Sequence, residues 1–370
     1  MQLKHRLLIA TDSFLPRWDG PTRFLLDIIP CIKNNLDITI VCPKFKGDIK
    51  FKDATVIRLP VEGRSYYYDK PNLKSMNRLV KEHDIIFANT LGPIGQKAIK
   101  CGGKLDKPVL NYVHSIQWDL LSKNRLFEYL IKYREIKKTK KLYENCSMLI
   151  SPSIHTAKIL EKQNIKTPKV VAKIGIDLDK FKPPESKDSA KRRLNIDPNR
   201  KVIGFVGRLT KNKDVNTLYR AFRKLELKHK NLLLLIVGRG NPKLERKFKY
   251  GENIRQIKLS NNIVPYLQAM DMFVQPSLTE TSSLATLEAM ACAIPVITTK
   301  TGDLKKYIKD KENGLLFSRK NDTLLALKIE WLLKEEFVRS TIGLNARETV
   351  DKIFNLDDSK KAIKRIFESF

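Results

Sequence analysis

The stretch Met272-Phe273-Val274-Gln275-Pro276-Ser277-Leu278-Thr279-Glu280-Thr281-Ser282-Ser283-Leu284-Ala285-Thr286-Leu287-Glu288-Ala289-Met290-Ala291 sets the reading of the chain. Its first four residues are an apolar run suited to a buried strand. From Leu284 onward, Leu284, Leu287 and Met290 fall on one helical face. Glu280 is therefore expected in a strand-to-helix loop and Glu288 inside the helix. In an open α/β sheet such loops bind ligands. The helix start offers backbone N–H groups to a phosphate, and Ser282 and Ser283 are suited to capping it. A carboxylate just outside can accept hydrogen bonds from hydroxyls. The stretch thus predicts a site for a ligand that is part phosphate and part polyol.

The same alternation runs along the chain. Short apolar runs at 7–11, 38–42, 56–59, 85–89, 109–113 and 148–151 form a first series. Runs at 202–206, 233–237, 254–258, 272–275, 296–299 and 315–317 form a second. Most are apolar on both faces, as parallel strands covered by helices are, and the spacing predicts a doubly wound α/β fold. The polar, proline-containing residues 182–189 read as a linker. The expected organisation is a first Rossmann-like domain over 1–181 and a second over 182–354, with a ligand cleft between them.

At 370 residues and 42% apolar content, the chain has material for two cores. No apolar run reaches membrane-spanning length, and the N-terminus lacks a secretory h-region. The five cysteines (Cys31, Cys42, Cys101, Cys146, Cys292) have neither zinc nor redox spacing. A cytoplasmic protein with reduced thiols is expected. The net charge of +31 predicts attraction to something anionic, or reflects lysine-rich composition alone.

Further motifs lie at predicted strand ends. Gly204-Phe205-Val206-Gly207-Arg208-Leu209-Thr210-Lys211-Asn212-Lys213 places two cations, Arg208 and Lys213, where a diphosphate could sit. Leu235-Ile236-Val237-Gly238-Arg239-Gly240 is a second strand with a Gly-rich turn, open to a turn or a ligand role. Gly20, after the first strand, allows close backbone approach. His114 ends the strand at 109–113.

Together these residues resemble the nucleotide-sugar glycosyltransferases of glycosyltransferase family 4. Glu280 and Glu288 match that family's E-x7-E motif, and Gly207-Arg208-Leu209 to Lys213 matches G-R-L-x-x-x-K. Gly175, Ile176, Asp177 and Phe181 fit its pre-linker segment; residues 88–95 and Asn313-Gly314 also fit. The resemblance implies a GT-B fold, α/β with two Rossmann-like parallel-sheet domains, and a final helix over 355–370 packed back on the first domain. It implies a retaining, metal-independent hexosyltransferase that needs no cofactor beyond a UDP- or GDP-linked sugar as co-substrate. Gly20, Arg208, Lys213, Ser282, Ser283 and Leu284 would hold the donor diphosphate. Glu288, Gly238 and Lys258 would bind the nucleoside. His114 and Glu280 would act at the transferred sugar.

The chain departs from the family pattern at three places, one of them Ala293 in place of a usual Gly. Thr281-Ser282-Ser283 replaces Gly-Phe-Gly after the first Glu, and Asp303 replaces the second Gly of a pair at Gly302. Glu-Thr at 280–281 and Thr11-Asp12-Ser13-Phe14-Leu15-Pro16 resemble a subset with lipid-type acceptors. A lipid or glycan acceptor is therefore expected, with Tyr66 and Tyr67 as candidate lining.

Residues 123–141 carry eight Lys or Arg, with Leu126, Tyr129, Leu130, Tyr133 and Ile136 at helical spacing. They predict an amphipathic helix that either meets an anionic membrane surface or packs on the core with a solvated basic face. A sugar-nucleotide epimerase of the same fold, and a basic nucleic-acid-binding protein, are the rival readings. No nucleic-acid module is recognisable, and no specific nucleic acid is expected.

Overall fold

The computed structural model describes residues 4–47, 49–64, 69–119, 128–249, 251–258, 260 and 262–370. By its contacts the chain forms two compact units, Met1–Ile174 with Asp357–Phe370, and Gly175–Leu356.

The strands of the first unit are β1 (His5–Ala10), β2 (Leu36–Pro43), β3 (Thr55–Leu59), β4 (Val61–Arg64), β5 (Asp69–Pro71), β6 (Ile85–Ala88), β7 (Val109–Tyr112), β8 (Met148–Ser151) and β9 (Lys169–Val171). Seven of them make a sheet in the order β3-β2-β1-β6-β7-β8-β9, while β4 and β5 form a separate antiparallel pair. The chain winds outward from β1 through β3, then returns to place β6 beside β1. The loops after β1 and β6 therefore flank a topological switch point. Leu7, Leu8, Ile9 and Ala10 are fully buried, as a strand covered on both faces requires.

The second unit carries β10 (Lys201–Val206), β11 (Leu232–Val237), β12 (Ile254–Ile257), β13 (Met272–Gln275), β14 (Val296–Thr299) and β15 (Leu315–Phe317). Their order is β12-β11-β10-β13-β14-β15, so the switch point lies between β10 and β13. Alternate side chains feed two cores. Val202, Val206, Leu233, Leu235, Val237 and Phe273 enter one. Ile203, Phe205, Leu232, Leu234, Ile236, Met272 and Val274 enter the other.

Every run expected to be a strand forms one. The sequence reading missed β4, β5 and β9, which are short and carry charged residues (Glu62, Asp69, Lys70, Lys169) that mask an apolar pattern. Tyr66 and Tyr67 lie outside the described residues. So do 123–127 of the basic stretch, whose described part is a helix over Glu128–Tyr143. That helix is not the core-packed amphipathic stripe that one reading expected throughout. Leu142 and Tyr143 are buried, but Tyr129, Leu130 and Tyr133 are 79%, 55% and 58% exposed. Among the described residues no helix is long and apolar enough to cross a membrane.

The second unit encloses an ion pair. Lys191 Nζ lies 2.9 Å from Asp271 Oδ2 with both side chains buried. Lys191 also donates to the carbonyls of Arg200 (2.8 Å) and Pro198 (3.2 Å), and Asp271 Oδ2 accepts from Val202 N (2.7 Å). The pair thus anchors the start of β10. Removing one partner strands the other charge, which costs about 3–5 kcal/mol. Lys191→Met is expected to lower the thermal midpoint of the second unit markedly, read by differential scanning calorimetry. An unchanged midpoint would show that the pair contributes nothing net.

Candidate functional site

At the switch point of the second unit, the loop after β10 opens with Gly207, whose φ of +153° is left-handed territory. Gly207 N donates to Val237 O (3.0 Å) and Leu209 N to Arg239 O (3.0 Å), so the loop continues the pairing of β10 with β11. Leu209 is fully buried and fastens the loop. Arg208 beside it is exposed. Lys213 ends a 3-10 turn, Lys211–Lys213. Leu278 N donates to Asn212 O (2.8 Å), which joins this loop to the one after β13.

Glu280 is the hub of that second loop. Its Oε1 accepts from Lys213 Nζ (2.5 Å), Ser277 Oγ (2.7 Å) and Gln275 Nε2 (2.8 Å). Three donors on one oxygen fix the carboxylate plane, and the contact with Lys213 is charge-assisted. The two residues assigned by resemblance to sugar and diphosphate thus touch.

β14 and the residues after it pin the surrounding backbone. Thr299 Oγ1 donates to Ser277 O (2.5 Å) and Thr301 Oγ1 to Leu278 O (3.2 Å). Asp303 N donates to Thr281 O (3.0 Å), Ser282 Oγ to Asp303 Oδ2 (3.1 Å) and Tyr307 Oη to Ser282 O (2.6 Å). Gly302 has φ +52°, and a Cβ there would fall 1.8 Å from Glu280 O. Only glycine fits that approach. Ser282 and Asp303, at two of the departures from the family pattern, are thus partners.

The helix Leu284–Ala291 follows. The expectation that Ser282 or Ser283 caps it is wrong. Ser283 sits in the left-handed region (φ 51°, ψ 78°) and its side chain makes no capping hydrogen bond. Ser283 Oγ bonds Thr286 Oγ1 (2.9 Å), and Ser282 is committed to Asp303. A serine at positive φ is strained and persists because its surroundings over-determine it. The result leaves the amides of Leu284 and Ala285 at the helix start to attract an anion.

Glu288, one turn on, is 2% exposed. Its charge adds to burial in pushing the Cys292 thiol up to about 12. Gly238 has a packing explanation: at φ +147°, a Cβ would lie 1.9 Å from Gly207 O. Its N–H donates to Ile257 O (2.7 Å) and its carbonyl accepts from Gln256 Nε2 (2.9 Å), so both backbone groups are engaged. Lys258 is exposed just past β12.

In the first unit, Asn89 organises the switch point. Its Nδ2 donates to Thr11 Oγ1 (3.2 Å) and Pro21 O (3.3 Å), which turns Oδ1 toward His114 Nε2 at 2.9 Å. Nε2 therefore carries the imidazole proton. The ring packs on Phe24 and Tyr112, with centroids 5.2 and 4.6 Å away. Burial drives the His114 pKa down to about 3, against a smaller opposing pull from Asp19. His114 is thus a neutral imidazole at physiological pH. Gly20 is the first residue of the helix Gly20–Ile32, whose N-cap Asp19 accepts from Thr22 N (3.1 Å).

The sequence reading missed Asp12. This buried carboxylate accepts from Ile94 N (2.8 Å) and Thr90 Oγ1 (2.8 Å), and so caps the helix Pro93–Lys104 whose own N-cap is Gly92. Burial raises its pKa, with these hydrogen bonds opposing. The absence of a capping side chain at Gly92 is the local signal that a distant residue supplies one. Gln275, Ser277, Thr299, Thr301 and Tyr307 were also missed. Gln275 and Ser277 act locally on Glu280, Thr299 and Thr301 through the pairing of β13 with β14, and Tyr307 from the short helix Leu304–Tyr307.

Two parallel sheets of order 3-2-1-4-5-6, one extended by a further strand, with cations, a carboxylate hub and an open helix start at a switch point, define a GT-B glycosyltransferase. The pattern of the "Glycosyltransferase Family 4" group matches residues 18–180, and that of "Glycosyl transferases group 1" matches residues 186–349. The chain belongs to glycosyltransferase family 4. It is 23% identical to the capsular polysaccharide biosynthesis glycosyltransferase CapM of Staphylococcus aureus, over 98% of this chain and 96% of that one. It is 23% identical to alpha-monoglucosyldiacylglycerol synthase of Streptococcus pneumoniae, over 99% and 85%. Anabaena HepE, solved in complex with UDP-glucose, has the same fold, with a TM-score of 0.79 at 19% identity over 99% and 100% of the two chains.

The His114 shift has a testable sign. Its folded pKa of about 3 lies below the ordinary 6.5, so the unfolded chain takes up the proton first as pH falls. The stability contributed by neutral His114 is complete above pH 6.5 and is lost between 6.5 and 3, at up to about 1.4 kcal/mol per unit. In His114→Phe the acid-side fall of stability should be shallower over that window, measured by urea unfolding at a series of pH values. Equal slopes in the two proteins would refute the neutral, desolvated imidazole.

Proposed function

We propose that the protein is a retaining hexosyltransferase. It would move a glucosyl or mannosyl unit from a UDP- or GDP-linked donor to a lipid, lipid-linked or glycan acceptor. The observation that carries the reading is the joint placement of Arg208, Lys213, Glu280 and the uncapped start of Leu284–Ala291 at one switch point.

The chemistry follows from charge. Breaking the sugar–phosphate bond leaves negative charge on a nucleoside diphosphate. Fixed cations and helix-start amides aimed at that charge stabilise it without reorganisation. Arg208 would bind the diphosphate bidentately. Lys213, already positioned through Glu280, would supply a second cation, and this pair of charges takes the part a metal ion has in other transferases. Glu280, with one oxygen held by three donors, would present the other to sugar hydroxyls. Glu288 would accept from the ribose hydroxyls. His114, neutral and with its proton on Nε2, would meet the reacting sugar by hydrogen bonding. No carboxylate nucleophile is assigned, so retention is attributed to front-face substitution in which the leaving phosphate takes the acceptor's proton.

The acceptor class is supported by the relatives. One bears the name of a diacylglycerol glycolipid synthase, another that of a capsular polysaccharide enzyme. The exposed Tyr129, Leu130 and Tyr133, with exposed Arg134, Lys137, Lys138 and Lys141 on the same helix, would suit peripheral contact with an anionic membrane on the cytoplasmic side.

Two measurements test this reading. Arg208→Ala and Lys213→Ala should each lower kcat ~100-fold or more, by the scale of a lost transition-state donor. Glu288→Ala should instead raise the donor KM, about tenfold or more for a lost charged hydrogen bond. Turnover near wild type in the first two would remove the diphosphate assignment. Separately, vesicles containing phosphatidylglycerol should bind the protein in a salt-sensitive manner, and Tyr129→Ser with Leu130→Ser should weaken that binding. Equal binding to neutral vesicles, or none to either, would remove the membrane component.

A further inference from the structure

Val206-Gly207-Arg208 and Val237-Gly238-Arg239 are the same tripeptide at the ends of adjacent strands. They are also in register. Val206 is paired with Val237 in the β10–β11 ladder, and the pairing runs on through Gly207 N to Val237 O, Leu209 N to Arg239 O and the bridge between Leu209 and Gly240. Arg208 and Arg239 therefore stand opposite each other. The two glycines before them have nearly equal φ, +153° and +147°. Both arginines are exposed. Glu245, the nearest acid in sequence after Arg239, is aimed elsewhere, accepting from Gly240 N at 2.6 Å.

Like charges directly opposite on neighbouring strands repel. Neighbouring strands are only about 4.8 Å apart, so two arginines in register are within reach of one anion. Among the described residues no carboxylate pairs with either arginine. A ligand phosphate relieves the repulsion, and two planar forks give it up to four charge-assisted hydrogen bonds. The arrangement stands beside the Arg208–Lys213 loop, at the carboxyl ends of β10 and β11, on the side of the sheet where ligands bind.

We propose that Arg239 is a second phosphate-binding arginine. With Arg208 it forms a two-guanidinium clamp on the diphosphate of the donor. The assignment rests on the diphosphate reading of Arg208 given above, and it adds a residue to that site. Arg239 binds the phosphates rather than reading the base, because its partner in register is the phosphate-directed Arg208.

Calorimetric titration of the full chain with UDP and GDP, and competition by uridine and guanosine, tests this. Wild type, Arg208→Ala, Arg239→Ala and Arg239→Lys are compared at low and moderate salt, with thermal midpoints confirming folding. Arg239→Ala should weaken the nucleoside diphosphate ~10–100-fold, as for a lost charged hydrogen bond, and leave the nucleoside unaffected. It should also flatten the salt dependence, which Arg239→Lys should retain while restoring only part of the affinity. Equal weakening of nucleoside and diphosphate would overturn the phosphate assignment in favour of a base contact. Unchanged diphosphate binding in Arg239→Ala, alongside weakened binding in Arg208→Ala, would overturn the clamp and leave the functional reading standing. Unchanged binding in both variants would sink that reading as well.

Discussion

The second unit depends on where Glu280 Oε1 is held. One oxygen accepts from Lys213, Ser277 and Gln275, which come from the loop after β10, the loop after β13 and the end of β13 itself. The order β11-β10-β13-β14 brings these segments together, because the chain reverses its winding between β10 and β13. A carboxylate placed there neutralises Lys213 and orients it. A Gln in place of Glu280 would keep the shape and lose the charge. The Lys213 ammonium would then face the site with its counter-charge gone and its direction less firmly fixed.

The rest of the loop shows how that placement is enforced. Hydrogen bonds from Thr299, Thr301 and Tyr307 all end on carbonyls between Ser277 and Ser282. These bonds fix the carbonyls, and with them the peptide planes, of the segment that carries Glu280. The left-handed Ser283 leads from that segment into the helix. Its strain belongs to the same design, since a regular Ser N-cap would place its own oxygen on the amides that the site keeps for a ligand. The buried Ser282–Asp303 bond occupies the position where the family pattern has residues without such a pair. These two departures, read separately from the sequence, are one structural feature.

Much of this was legible in the chain itself. Runs such as 233–237 carry apolar residues at every position, and burial on both faces leaves that mark. Arg208, Lys213, Glu280 and Glu288 were identifiable because motif spacing places them at strand ends and on a helix. What was not legible depends on backbone approach and on long-range pairing. The αL serine, the absent cap and the Gly302–Glu280 contact follow from tertiary packing overriding local propensity. Asp12 reaches the helix Pro93–Lys104 only because β1 and β6 are neighbours; Gly92 signals that a cap is missing, but nothing in the sequence says that Asp12 supplies it. Gly238 has a second explanation that spacing does not reveal. A glycine in a turn after a strand invites a ligand explanation, and here the carbonyl of Gly207 accounts for it.

The charge of the chain takes on meaning only through such placement. A net charge of +31 is compatible with nucleic acid, membrane, phosphorylated ligands or mere solubility. Many lysines are answered locally, as Lys33 is by Asp53 and Lys224 by Asp322. Others are absorbed inside, like Lys191 on Asp271. Lys213 has its counter-charge in Glu280, so it is a poised cation rather than an open one. Arg208 is different: it is exposed on a loop held on either side by the bonds of Gly207 N to Val237 O and Leu209 N to Arg239 O. Specific recognition of an anion needs a cation whose position is fixed and whose hydrogen-bonding capacity is not. That combination, and not the sum of charges, is what suits Arg208 to an anion.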